Sequence, residues 1–389
     1  MSTTAQPLLA QAAALVPALA AREAAANAAR SVPDETIADY HRSGILRVMQ
    51  PRRFGGQQAS FDLFSRIVEI LAEGCAASAW VYAVLAEHQW IIACMTEQAQ
   101  ADVWADTPDA VAASSLAPRE TARHTSEGWR LSGRFPFSSG CRHAQWAIIG
   151  ARAEDAAGNK LTRYMLVPMR HVEIADDWHA LGLRGTGSCS LLLTDVLVPR
   201  HRTVLLRDLL DGTTPGSIVL PDYSLLRAPR GYLVPFSLPA VMFTLARRAL
   251  ALVPATLRTR ISRGVHDVAA SEVVQMRLGE AAAAIETAVL IMHTRRAESI
   301  AALETGAAIT PEAVARNRRD VTFAAQQLRR GMETLMEVSG ARSVYDTDPL
   351  QALVRDALTI GTHTVVSRQG AMVPYGRLML GLPAASAEA

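Results

Sequence analysis

The sequence predicts an α+β chain in three parts. An N-terminal helical domain covers residues 1–107, a central β-domain 108–215 and a C-terminal helical bundle 216–389. Two changes of hydrophobic period carry this prediction. Apolar residues recur at helical spacing up to about residue 105, alternate with period two from about 108 to 215, and return to helical spacing after Pro239. The length, 389 residues, suits two or three structural units rather than one. Half the residues are hydrophobic and a fifth charged, as in a globular chain with a large core.

In the first part, Pro33-Asp34-Glu35 reads as a helix start, since acidic residues favour the first turn. Ile37, Tyr40, His41 and Ile45 form its stripe and Gly44 its stop; Pro51 to Gly56 is a loop. Phe61, Phe64, Ile67, Val68 and Leu71 mark an amphipathic helix. Ala76 to Cys94 is apolar on nearly every side, broken only by Glu87-His88-Gln89. Thr96 is placed to cap a further helix.

Strands are predicted at 111–115, 129–137, 145–153, 163–167, 171–174 and 190–198, with Gly158-Asn159, Pro168 and Pro199 between them. In the last part, Val273 to Met292 reads as a long helix, apolar on nearly all sides except at Arg277 and Glu280. Ala324, Leu328, Leu335 and Val338 mark a second helix, ended by Gly340; Asp348 or Pro349 opens a third. Long helices of this kind pack as a bundle.

Several function classes find no support. Net charge is +2 with dispersed basic residues, so neither nucleic acid nor a membrane is an expected partner. Cys75, Cys94, Cys141 and Cys189 lie far apart, which argues against a zinc site or a disulfide framework; no metal is expected. The run Ala12–Ala20 lacks a basic flank, is interrupted by Pro17 and is short for a bilayer, so a cytoplasmic protein is expected. No G-x-G-x-x-G follows a strand, and no H-E-x-x-H, Walker A or G-x-S-x-G sequence occurs.

Polar residues in apolar places are the candidates for chemistry. The stretch Gly128 to Gly140 reads as a half-buried strand that breaks at Pro136-Phe137-Ser138-Ser139-Gly140. Two hydroxyls and freed amides at a strand end can hold a planar, polar-edged ligand, or simply turn a corner. His88 lies in an apolar helix, Ser114-Ser115 ends a short strand, and His363 follows an apolar turn. Each histidine is either a hydrogen-bonded core residue or an acid–base group. Arg277 either pairs with Glu280 or, if buried, suits a phosphate.

Leu181-Gly182-Leu183-Arg184-Gly185-Thr186-Gly187-Ser188, feeding Asp195-Val196-Leu197-Val198-Pro199, resembles the acyl-CoA dehydrogenase superfamily. The resemblance runs from about residue 20 to 382 and implies that fold, with a C-terminal four-helix bundle. Other segments resemble one branch of it, the oxygenase components of two-component flavin monooxygenases. That branch includes hydroxylases of 4-hydroxyphenylacetate and of phenolic steroids, and dibenzothiophene S-oxygenase. The segments are Leu46 to Gly56, His88-Gln89-Trp90, Phe137 to Gly140, Gly340 to Tyr345, Asp348 to Gln351 and Arg355-Asp356. A dehydrogenase of this fold takes its base from one of two regions. Here residues 223–266 and 357–386 contain no Asp or Glu.

The resemblance implies a protein that binds reduced flavin (FMNH2 or FADH2), reacts it with O2 through a flavin C4a-hydroperoxide, and hydroxylates an organic substrate. An aromatic or polyketide-like ring is the leading expectation. N- or S-oxygenation is the second, and acyl-CoA dehydrogenation or a non-catalytic binding protein the third. By the same resemblance Ser139 accepts from flavin N5–H, Ser138 and Phe137 line the ring, and Ser114 lines the pocket. His88 and His363 flank the substrate, with their two roles unassigned and their pKa values near the ordinary one. Arg277 and the Gly340-Ala341-Arg342 turn, from a neighbouring subunit, hold the flavin phosphate. A homotetramer and a separate NAD(P)H:flavin reductase are implied as well. The Leu- and Pro-rich stretch 224–238, and the bulky residues of 238–248 where relatives carry glycine, imply an apolar substrate or an unusual pocket.

Overall fold

A computed structural model describes residues 5–154, 158–262 and 266–383; the tail of the second acid-free window, 384–386, lies outside them. The first part is helical: α1 (Ala5–Ala29), α2 (Asp34–Arg42), α3 (Phe61–Ala72), α4 (Ala76–Ala93) and α5 (Glu97–Trp104). Local chemistry sets the ends. Ser60 and Thr96 accept from the amides of Leu63 and Ala99, and Gly44, at φ 71°, lies just past α2 in the left-handed conformation. Every residue of α4 is buried, as an all-round apolar helix requires.

The first helix is longer than its apolar run. It runs through Pro17 and beyond the Ala12–Ala20 run, because packing on α3 outweighs the one hydrogen bond that proline removes. Gly74 matters at this contact, since a Cβ there would lie 2.6 Å from the Val16 carbonyl oxygen. By length and composition alone, α1 and the stretch 230–257 would reach across a bilayer; the latter is 72% buried in the protein.

The strands β1 (Ala112–Ser115), β2 (Thr121–His124), β3 (Gly128–Ser138), β4 (Trp146–Glu154), β5 (Lys160–Pro168), β6 (Glu173–Ile174), β7 (Cys189–Pro199) and β8 (Thr203–Leu205) form one sheet. Its order is β6-β7-β3-β2-β4-β5-β8, with β1 also paired, in parallel, to β4. The short β2 and β8 were not predicted: Thr121-Ala122-Arg123-His124 buries only Ala122 and offers no apolar alternation. The expected strand 171–174 shortens to two residues because Met169–His171 is a 3-10 turn.

Alternation sorts the sheet between two cores. On β4, Trp146 and Ile148 join the helical core, while Ala147, Ile149, Ala151 and Ala153 join a second one with Trp129, Leu131 and Phe135 of β3. The same parity holds on β1. Ala112 faces the helices and Ala113 the β core, so Ser114 points toward the helices.

The remaining elements are α6 (Leu206–Asp211), α7 (Pro215–Val219), α8 (Arg230–Leu233), α9 (Pro239–Leu257), β9 (Ile261–Ser262), β10 (His266–Asp267), α10 (Glu272–Glu304), α11 (Pro311–Ser339), α12 (Pro349–Ile360) and α13 (Arg368–Met379). Strands β9 and β10 pair as a small ribbon. In the bundle α11 packs on α9 and α10, α12 packs on α9, and α13 closes against α11. Val241, Met242 and Phe243 of the bulky 238–248 segment are core residues.

One helix corrects the sequence reading. α10 buries a single stripe (Ala281, Ile285, Ala288, Met292, Arg296, Ser299) and exposes Val273, Met276 and Leu290. Arg277 is therefore not buried. Its side chain is 42% exposed and pairs with Glu337 at 2.9 Å and Glu280 at 3.5 Å. Interleaved apolar residues made the sequence look apolar all round, because a patch left exposed in one chain reads the same as a core face.

Candidate active site

The site forms where the end of β3 meets α4. Between Phe135 and Ser138 β3 advances three residues while β7 goes back two, Leu191 to Cys189. This bulge takes Phe137 to φ 66°, a left-handed conformation costing a non-glycine residue about 1–2 kcal/mol. Gly140 follows at φ 68°, and a Cβ there would meet Val81 of α4 at 2.9 Å. The corner is thus pressed onto α4. Phe137 is 65% exposed, Ser138 and Ser139 are buried, and the Ser138 Oγ has no hydrogen-bond partner.

Ser139 is tied in from both sides. Its Oγ accepts from Trp80 Nε1 at 3.0 Å and lies 2.7 Å from Ser188 Oγ, itself 2.6 Å from Thr186 Oγ1. Both hydroxyls behind it come from the Gly-rich loop, which Gly140 N also engages by donating to the Thr186 carbonyl at 2.9 Å. Asp356 of α12 accepts from Leu183 N at 2.6 Å and anchors that loop; burial pushes its carboxyl up to about 6. The Trp80 ring meets His363 edge-on, centroids 5.5 Å apart, and so joins the predicted Ser139 and His363 into one site.

His88 stands about 12 Å further along α4, two turns on. Trp80, Val84, Glu87 and His88 keep 4–8% exposure in a helix otherwise almost sealed, a stripe that marks the open side. His88 Nδ1 is 2.6 Å from the Ala112 carbonyl, which only accepts, so Nδ1 carries the proton. The other nitrogen, Nε2, accepts from Ser114 Oγ at 3.0 Å. In His363 the pattern is reversed. Its Nδ1 accepts from Val365 N at 3.2 Å, capping the turn Thr364–Val366, and this leaves the proton on Nε2. The two imidazoles are locked in opposite tautomers.

Neither titrates near its ordinary value, contrary to expectation. Burial holds both His88 and His363 down to about 4, and the charge of Arg230 adds to the effect on each. Arg230 is not among the residues that the sequence singles out. It opens α8, with one Nη 3.8 Å from Glu87 and a buried Nε without a partner. Glu87 in turn accepts from Ser237 Oγ, and burial raises its carboxyl above the usual range. The 224–238 stretch that reads as apolar thus delivers a cation and a hydroxyl to the site. Its signal was a single Arg after Pro229 amid leucines. Trp80 gave none, being one more large residue in an apolar helix.

The other predicted group lies elsewhere. Arg277, through Glu337, and the Gly340-Ala341-Arg342 turn share one end of the bundle; Arg342 borders a cavity of about 410 Å³ between α9 and the 345–349 turn. Among the described residues no hydrogen bond or ion pair links this cluster to the Ser139 corner. No group of metal-ligating side chains occurs among the described residues.

The corner fits a flavin. A cleft of about 290 Å³ opens beside it, lined by Phe137, Trp178, Arg134 and Ser188. The Phe137 and Trp178 rings meet edge to face, centroids 6.4 Å apart at 87°, and give the cleft an apolar side, and Ser138 Oγ is a buried hydroxyl without a partner.

Comparison with known proteins bears on the fold and the family. Residues 237–368 match the family described as acyl-CoA dehydrogenase, C-terminal domain. The chain is 34% identical over 365 residues to the oxygenase component of an FADH2-dependent resorcinol hydroxylase from Rhizobium sp. (strain MTP-10005), covering 91% of this chain and 89% of that protein. The crystal structure of the HsaA monooxygenase from M. tuberculosis superposes with a TM-score of 0.91 at 30% identity, covering 98% of this chain and 99% of that one. XiaF from Streptomyces sp., in complex with FADH2 and glycerol, gives a TM-score of 0.88 at 26% identity over 98% of this chain and 96% of its own. Fold and relatives together establish that this chain belongs to the family of oxygenase components of two-component flavin-dependent monooxygenases, built on the acyl-CoA dehydrogenase fold.

Proposed function

We propose that the protein receives reduced flavin from a separate NAD(P)H:flavin reductase and hydroxylates an aromatic ring that carries a phenolic hydroxyl. Bound reduced flavin supplies the electrons that activate O2 and the route by which one oxygen atom reaches the substrate. The cleft at Phe137 and Trp178 holds the ring system, Ser138 and Ser139 meet its polar edge, and sealed α4 excludes water from the far side.

The opposed tautomers of His88 and His363 carry this reading. His88 Nε2 is a fixed acceptor whose one lone pair takes the Ser114 O–H, so Ser114 Oγ accepts the phenolic O–H and passes its pull on to His88. A proton held at about 4 on His88 and a phenol near 10 differ by six units, roughly 8 kcal/mol. Full proton transfer before reaction is therefore too costly. Through Ser114, His88 orients the phenol and draws its proton as the ring carbon bonds to oxygen, which makes the ring more nucleophilic when it counts. Arg230, with an uncommitted Nε, offsets the developing phenolate charge. His363 Nε2–H is a fixed donor on the Trp80 side, suited to the reacting oxygen. An acceptor paired with a hydroxyl has no task in S-oxygenation, which favours the phenol.

The exposed Val273, Met276 and Leu290 of α10, and Val344 and Tyr345 past the Gly340 turn, support self-association, as a homotetramer. In such an assembly Arg277 and Gly340-Ala341-Arg342 would reach the flavin phosphate of a neighbouring site.

The test is turnover with enzymatically reduced flavin under oxygen-18, on a phenol and its methyl ether. The reading expects one labelled oxygen in the phenol product and little or none from the ether. Equal oxygenation of both would overturn the role of His88.

A further inference from the structure

We infer that the Gly-rich loop sets the redox selectivity of the site. Through Thr186 and Ser188 it makes Ser139 a one-way hydrogen-bond acceptor, which selects reduced over oxidised flavin. The inference rests on the reading that Ser139 faces flavin N5.

The direction of each proton follows from the end of the chain of hydroxyls. The Leu183 carbonyl only accepts, and Thr186 Oγ1, 2.8 Å away, spends its single proton there. Thr186 Oγ1 is then the acceptor for Ser188 at 2.6 Å. Ser188, its proton committed, accepts from Ser139 at 2.7 Å. Trp80 Nε1–H occupies one lone pair of Ser139 at 3.0 Å. One lone pair remains for the cleft, and no proton.

Trp80, Ser139, Thr186 and Ser188 are each at most 6% exposed, so water has little access to reverse the order. Buried hydroxyls in series polarise one another and hold a common direction.

The two flavin redox states present opposite edges to such a group. Reduced flavin carries hydrogen on N5 and can donate. Oxidised flavin presents a bare N5 lone pair, which meets the lone pair of Ser139 and loses its hydrogen bond to water. An acceptor-only Ser139 therefore retains the reduced cofactor and releases the oxidised one, the traffic a separate reductase requires. Thr186 and Ser188 act through Ser139, as positioning residues.

Thr186→Val tests the relay. It preserves shape, and the Leu183 carbonyl keeps two donors, Thr186 N at 3.0 Å and Trp178 Nε1 at 3.1 Å. Without Thr186 Oγ1, the Ser188 proton turns to Ser139. Ser139 then accepts twice and points its own proton into the cleft. Dissociation constants for oxidised flavin (by equilibrium dialysis) and reduced flavin (by anaerobic titration) give the readout. The ratio of oxidised to reduced Kd should fall about tenfold or more in Thr186→Val, one hydrogen bond's worth, and return in Thr186→Ser. An unchanged ratio in Thr186→Val, with a lowered ratio in Ser139→Ala, overturns the relay and leaves the N5 reading standing. An unchanged ratio in Ser139→Ala overturns both.

Discussion

Acidification should cost this protein more than its carboxylates alone would explain, and most of the excess should trace to two side chains, with smaller parts from the partly buried His41 and His143. His88 and His363 titrate at about 4 in the folded chain, against about 6.5 when unfolded. Between those values the unfolded chain binds protons that the folded chain refuses, so stability falls as pH drops through the window. From pH 7 to pH 5 the loss is about 2 kcal/mol per histidine, about 4 kcal/mol for both. Urea unfolding at the two pH values, at one protein concentration, measures it. Carboxylates titrate alike in wild type and variants, so the comparison is the change on acidification. In His88→Gln and in His363→Gln that change should shrink by about 2 kcal/mol each. Equal losses in wild type and both variants would refute the buried, neutral state on which the tautomer argument depends.

Other outcomes follow from the same geometry. Arg230→Met removes the cation that disfavours protonation of both histidines, so the acid limb of hydroxylation should move to higher pH while phenol binding weakens. Ser114→Ala takes away the hydroxyl on His88 Nε2; KM for the phenol should rise about five- to tenfold, a hydrogen bond's worth, with a smaller change in reduced-flavin Kd. Cys75, Cys94 and Cys141 are buried, with thiols pushed up to about 11, 12 and 12. Iodoacetamide at pH 8 should leave them unmodified until denaturant is added, as mass spectrometry of the intact chain would record.

The helices and main strands were legible because periodicity and caps are local. Thr96, Ser60 and the alternation of β4 behave as the residues dictate. The Ser139 corner was legible too, since Pro136 and Gly140 break a strand visibly. What sequence could not carry was distance and direction. That Trp80 bridges Ser139 and His363 depends on α4 lying under β3. The opposite tautomers depend on the Ala112 carbonyl and the Val365 amide, backbone groups with no sequence signature. Arg230 was hidden by apolar neighbours, and the exposure of Arg277 by a helix whose outward apolar residues mimic a core face. The Gly-Leu-Arg-Gly-Thr-Gly-Ser loop reads in sequence as a mark of fold; its Thr186 and Ser188 stand directly behind Ser139.

The central claim is that the corner at Ser139 receives reduced flavin and guards its reaction with O2. The direct measurement is stopped-flow absorbance: FMN or FAD is reduced anaerobically, mixed with the protein, and then with oxygenated buffer. The account predicts tight binding and a near-ultraviolet transient that precedes the return of oxidised flavin, with a shorter lifetime in Ser139→Ala. Failure of reduced flavin to bind, or a transient whose lifetime ignores that substitution, would contradict it.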